Sequence, residues 1–240
     1  MEITVSIEEL RENVGMVASV PRLQFTDQTI SLLRSVRALA VDPTLDQGVY
    51  WGQHLTHLFE RVRAEGRRYI LAFDYDSIYT ERQIVALYWM MEQNPDIDAL
   101  CPLQMKRGRD EGIFTAESED GRMIRIRDPR EFDCDFVPIK TGHFGLTLLR
   151  AERLDRLDKP WFIPVPDRDG GYGPGKTDED IRFWLLWRAA GNTFMLAPRV
   201  VIGHLNLMVT WPGRDLTPVH QYTSDYYKDG IPSGILNGVR

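Results

Sequence analysis

Apolar and polar positions alternate along the chain in blocks of two periods. Val14 to Val20 is a continuous apolar run that stops at Pro21, the pattern of a strand buried on both faces. Thr26 and Asp27 then offer cap oxygens, and Ile30, Leu33 and Val36 step along one face of the helix they open. A second helix is expected from about Gly52 to Ala64, with Leu55, Leu58, Phe59 and Val62 facing inward and Gly66 ending it. Tyr69 to Phe73 is the clearest strand, and it runs straight into Asp74-Tyr75-Asp76. Thr80, with Gln83 three residues on, predicts a capping box for a helix whose inner face is Ile84, Leu87, Tyr88 and Met91. Asn94-Pro95 stops that helix, and Asp98 to Pro102 reads as the next strand.

The second half is less regular. Residues 106–131 are charged and glycine-bearing, an exposed hairpin or loop with Met123 to Ile126 as its best strand. Phe144 to Leu149 is a strand entered through Gly142 and Gly145. Residues 163–176 are rich in proline and glycine, the composition of a mobile lid. Thr177 caps a helix running to Ala190, with Gly191-Asn192 as its stop. Thr193 to Ala197 and Val200 to Gly203 are short strands, and His204 follows. Strands alternating with helices point to an α/β layer architecture. The expected organisation is one domain over 1–210 and an irregular tail, 211–240, folded on it.

Composition narrows the class. The chain has 240 residues, 43% hydrophobic and 27% charged, which excludes disordered and fibrous types. No apolar run is long enough to cross a bilayer, and the acidic start does not resemble a signal peptide, so a cytoplasmic location is expected. Two cysteines exclude a disulfide scaffold. Lys plus Arg is 29 against 35 Asp plus Glu, a net charge of -6, so no strongly basic nucleic-acid footprint is present.

Three constellations carry chemistry. Asp74 and Asp76 sit just past a strand end, where ligands of parallel sheets collect, and their hard oxygens suit Mg²⁺ or Mn²⁺. Asp178-Glu179-Asp180 opens a helix, where acids complement the dipole and where mutual repulsion raises a pKa toward that of a general base. His204 ends a short strand and can complete a ligand set with the carboxylates. His54 and His57 have no ligand spacing and read as structural. The glycines of 171–177 mimic a phosphate loop without its strand or its spacing.

In chain order these segments resemble the GT-A glycosyltransferases, family 2-like, of the bacterial and phage type. ASVPR (18–22) resembles the first strand and nucleobase turn, and YILAFDYDS (69–77) the strand bearing the D-x-D. TGHFGLTLLRAERL (141–154) resembles the strand near donor and acceptor sugar. TDEDIRFWLLWRAAGNTFMLAPRVVIGHL (177–205) resembles the E-D helix, its turn and the closing strand ending in G-H. The resemblance implies a Rossmann-like mixed central sheet flanked by helices. It implies a hexosyltransferase-like enzyme that uses a UDP- or GDP-sugar donor with Mn²⁺ or Mg²⁺. It implies Asp76 and His204 as metal ligands, with Asp74 on metal or ribose. Asp180 is then the base, and Glu179 the alternative base or acceptor holder. Pro21, Arg22, Trp51, Gln53, Gly142 and His143 would line the donor pocket. The acceptor is unassigned, a glycan or a modified nucleobase; a phage-encoded enzyme would act in the host cytoplasm.

Two other classes stay open. FDYDS (73–77) also resembles the first motif of haloacid-dehalogenase-type phosphatases, with Asp74 as nucleophile and Asp76 as acid. That motif normally lies near the N-terminus, and no later lysine or acidic-pair motif follows here. A non-catalytic sugar-nucleotide binder on the same fold would have little use for the acids of the E-D pair.

Overall fold

A computed structural model describes residues 5–108, 111–117, 123–124 and 128–236. The short helix α1 (Ile7–Asn13), capped by Ser6, leads into β1 (Val14–Val20). Helix α2 (Thr26–Leu39) follows, then β2 (Thr44–Gln47), α3 (Trp51–Ala64) and β3 (Tyr69–Phe73). The two-residue β4 (Ser77–Ile78) precedes α4 (Glu81–Gln93) and β5 (Ala99–Leu103). Short strands β6 (Ala116–Glu117), β7 (Met123–Ile124) and β8 (Val137–Pro138) lead to β9 (Leu146–Arg150). The chain closes with α5 (Glu179–Ala189), β10 (Phe194–Val201), β11 (Gly203–His204), β12 (Met208–Pro212), β13 (Pro218–Tyr222) and α6 (Thr223–Asp229).

Seven strands form one mixed sheet in the order β2-β1-β3-β9-β5-β10-β8. β2, β1 and β3 run parallel, as do β5 and β10, while β9 lies antiparallel between β3 and β5 and β8 antiparallel at the edge. The period of two divides the core. Tyr69, Leu71 and Phe73 point to the face covered by α2 and α4, with Ile84, Leu87 and Met91. Ile70 and Ala72 point to the other face, covered by α3 and α5, with Leu55, Phe59, Phe183 and Trp184. Both faces are buried, which is why YILAF and VGMVASV carry almost no polar residue. At Gly15 the helix α3 comes so close that an added Cβ would stand 2.5 Å from Val62. The expected mixed sheet flanked by helices is the fold observed.

Several elements differ from expectation. The Thr80–Gln83 capping box and the inward faces of α3 and α4 form as expected. On α2, however, Ile30 and Leu33 are exposed, and the buried face is Gln28, Ser31, Leu32, Ser35 and Leu39. Hydroxyls are tolerated there because they are satisfied: Ser31 donates to the carbonyl of Tyr79, and Ser35 donates to that of Ser31. Phe25, not Thr26 or Asp27, sits at the cap position of α2, with no side-chain cap. Asp178 rather than Thr177 precedes α5. The two strands expected over 193–203 are one strand, β10, whose pairing with β5 shifts between Ala197 and Val201 around Pro198. Of the strand expected from Met123 to Ile126, residues 125 and 126 lie outside the described residues. The tail is not irregular: β12 and β13 form a hairpin that straddles residue 210, and α6 follows it. Alternating strand residues there are exposed, so no buried apolar run announces them. No helix among the described residues is long and apolar enough to cross a membrane.

Candidate functional site

β1 is followed by a crossover to β2 on one side, and β2 by a crossover to β3 on the other. The order in which strands are added to the sheet therefore switches sides between the parallel neighbours β1 and β3, and a crevice opens at their carboxyl ends. Asp74 leaves β3 there. Its amide donates to the carbonyl of Gly145 at 3.4 Å, and its carbonyl accepts from the amide of Ser77. This tight turn carries the chain into β4.

β4 then pairs antiparallel with β11, placing Ser77 opposite His204. The amide of Leu205 donates to the carbonyl of Asp76 at 2.8 Å. That register brings residues 128 positions apart, Asp76 and His204, side by side: Oδ2 and Nε2 are 3.4 Å apart. The Nδ1–H of His204 donates to the carbonyl of Met105 at 2.9 Å, which orients the ring and turns Nε2 toward Asp76. The Arg107 guanidinium stands 3.3 Å from the same Asp76 oxygen. Buried Gln104 locks the arrangement by donating to the Ser77 hydroxyl at 3.0 Å and to the Gly203 carbonyl at 3.1 Å.

Asp74 faces a cleft of about 400 Å³ with Trp51, Pro164, Asp178, Glu179 and Asp180. Burial pushes its carboxyl up to about 7, and the charges of Asp76 and Asp180 push the same way; the Trp51 indole N–H and His204 oppose them. Asp180 is also raised, by burial first and by Asp178, although the amide of Ile181 donates to its Oδ1 at 2.8 Å. Glu179 is raised chiefly by burial, and it accepts the amide N–H of Gly52. That N–H is one of the orphan donors in the first turn of α3, whose own cap residue supplies no side-chain bond. Glu179 thus caps α3 from another helix.

The other expected site residues fall in different places. Trp51 lines the acidic cleft and rests edge-on against Phe144 and Phe162. Pro21 and Arg22 follow the end of β1, at the crevice. Gln53 does not line the acidic cleft but a neighbouring one. Gly142 is packed under Phe194, where an added Cβ would meet the ring at 2.7 Å. His143 is 5% exposed; its Nε2–H donates to the carbonyl of Pro102, and its Nδ1 accepts from the amide of Gly145. Both ring nitrogens are spent, and burial lowers its pKa to about 4. Gly142 and His143 therefore build the turn before β9 and present nothing to a ligand. His54 pairs with Ser19 and His57 with Asp46, each at 2.9 Å. The 163–177 loop is closed by pairing between Val165 and Thr177, and the Asp167 carboxylate accepts the amides of residues 169, 171 and 173.

Sequence reasoning missed Arg107 and Gln104. Arg107 sits in a charged, glycine-bearing stretch that gave no period, and Gln104 acts through contacts that no local spacing records. A cation would find a carboxylate and an imidazole at Asp76 and His204, with an atom separation that suits neighbouring ligands of one ion. Among the described residues, no group of three or more His, Cys, Asp or Glu side chains is arranged to hold a metal.

No protein-family model matches the sequence, and no curated protein matches it. Solved structures do. One is A197 from STIV, with a TM-score of 0.54 and 11% identity, over 86% of this chain and 94% of that one. The likeness shows a shared Rossmann-like α/β fold.

Proposed function

We propose that the chain is a divalent-cation-dependent glycosyltransferase. It moves a sugar from a nucleoside diphosphate sugar, with UDP or GDP as the nucleotide, to an acceptor hydroxyl. The observation that carries this reading is the meeting of Asp76 and His204 across β4 and β11, next to a cleft that holds Asp74 and Asp180. Asp76 and His204 would hold Mn²⁺ or Mg²⁺, with Asp74 as the third group or as a ribose contact. The ion supplies neutralisation of charge on the departing diphosphate.

The remaining work falls to the chain. Asp180 takes the proton of the acceptor hydroxyl as that oxygen bonds to the sugar and the bond from the sugar carbon to the diphosphate oxygen breaks. Its pKa is raised, chiefly by burial, which makes it a stronger base than an exposed aspartate. Glu179, held on the Gly52 amide, shapes the acceptor side of the cleft rather than competing for the proton. Trp51 donates to Asp74 and keeps its carboxyl turned into the cleft. Arg107, on the rim beside Asp76, is placed to meet a phosphate once a cation takes over the Asp76 oxygen.

The test is release of nucleoside diphosphate from a panel of sugar nucleotides. Metal-dependent release from one donor supports the reading. A phosphoenzyme trapped at Asp74, with no release from any donor, would move the assignment to the phosphatase class.

A further inference from the structure

A second cleft, of about 500 Å³, lies on the far side of Glu179 from the acidic one. The two share Glu179 and Pro164. They are kept apart by a close approach at Gly52, where an added Cβ would stand 2.8 Å from both Glu179 Oε2 and Phe162 Cβ.

The walls of this cleft differ in character. One is the outer face of α3, where Gln53, Thr56, His57 and Glu60 fall at spacings of three and four and so form one polar stripe. The Thr56 hydroxyl donates to the Gly52 carbonyl at 2.8 Å and keeps its lone pairs for a ligand. His57 uses Nδ1 on Asp46, leaving Nε2. The facing wall is apolar, made by Pro160, Phe162 and Ile163, and Tyr50, 65% exposed, stands at the rim.

The ligand chemistry follows from this contrast. A purely apolar chain would strip water from the polar stripe without replacing its hydrogen bonds. An anionic ligand would meet Glu179, with Asp180 beyond it, while Glu60 and Asp178 already hold the ammonium groups of Lys159 and Lys176. A neutral ring with hydroxyls on its edge and C–H groups on its face satisfies both walls.

We propose that this second cleft binds the acceptor, and that the acceptor is a neutral saccharide whose reactive hydroxyl reaches past Glu179 toward Asp180. The acceptor role rests on the glycosyltransferase reading; the saccharide chemistry rests on the cleft alone.

The test is saturation-transfer NMR on the full chain with the methyl glycosides of glucose, galactose, mannose and N-acetylglucosamine, and with glucose 1-phosphate. Tyr50→Ala and Gln53→Ala change exposed side chains, and circular dichroism checks that both variants fold. The expected result is saturation of at least one methyl glycoside, with its affinity falling by about tenfold in each variant. Saturation of none, or a signal unchanged in both variants, overturns the proposal. Tighter binding of glucose 1-phosphate than of methyl glucoside overturns the charge argument. Glycoside binding in a protein that releases nucleoside diphosphate from no donor overturns the acceptor role and separates that failure from a failure of the cleft assignment.

Discussion

Gly52→Ala sets two effects of known size against each other. Alanine gains up to about 1 kcal/mol over glycine in a helix, less in the first turn where residue 52 lies. Against this, the new methyl would stand 2.8 Å from Glu179 Oε2, 2.8 Å from Phe162 Cβ and 2.9 Å from the Phe162 carbonyl oxygen. Comfortable carbon contacts lie near 3.5–4.0 Å, so roughly an ångström must be found. A glutamate can swing away, but the carbonyl of residue 162 is backbone. Overpacking of this kind costs about 1–3 kcal/mol. Movement of Glu179 would also loosen its bond to the Gly52 amide and free a donor at the start of α3. The overlap wins, by about 1–2 kcal/mol. In a chain of this size that is a fall in Tm of roughly 2–8 °C. Urea unfolding should show a lower midpoint with an unchanged m-value. A variant as stable as the parent, or more stable, would refute the close packing of α3 against residue 162 and α5.

Further outcomes are expected elsewhere. His143 is neutral in the fold with a pKa of about 4, below its unfolded value near 6.5, so the unfolded chain binds the extra proton between those values. Stability should therefore fall as pH drops through that window, by up to about 3 kcal/mol; His143→Gln, followed by urea unfolding at pH 7 and pH 4.5, should flatten that part of the decline. Asp98 is 5% exposed and receives Arg153 at 2.6 Å and the amide of Thr193 at 2.8 Å. Asp98→Ala strands a half-buried guanidinium and should destabilise by about 3 kcal/mol, read as a lower urea midpoint. Asp180→Asn should lower kcat for transfer by about 10²–10⁴ while leaving donor KM unchanged, and a change in KM alone would make it a binding group.

The parts of the fold that were legible are those written in local periods. β1, β3 and the inner faces of α3 and α4 combine an unbroken apolar run or a clean helical stripe with a clear stop. α2 was misjudged because its buried serines are paid for by backbone carbonyls, a compensation that hydrophobicity cannot display. The terminal hairpin was missed because both strands are half exposed. Of the candidate site, Asp74, Asp76 and His204 were read from residue type and strand-end position, and Asp180 from the acidic opening of a helix. The meeting of Asp76 and His204 depends on the antiparallel register of β4 with β11, and no spacing within either segment encodes it. His143 looked available beside a glycine-bearing strand; the two bonds that occupy its ring come from Pro102 and Gly145. Arg107 and Gln104 were invisible for the same reason, since their partners are about 30 to 100 residues away.

The central claim is tested most directly by incubating the protein with a panel of UDP- and GDP-sugars, in Mn²⁺, Mg²⁺ or chelator, and measuring nucleoside diphosphate release by the parent and by Asp76→Ala. The account predicts release from one donor that requires the cation and disappears in Asp76→Ala while the variant stays folded. Release that persists in chelator, or full activity in Asp76→Ala, would contradict it.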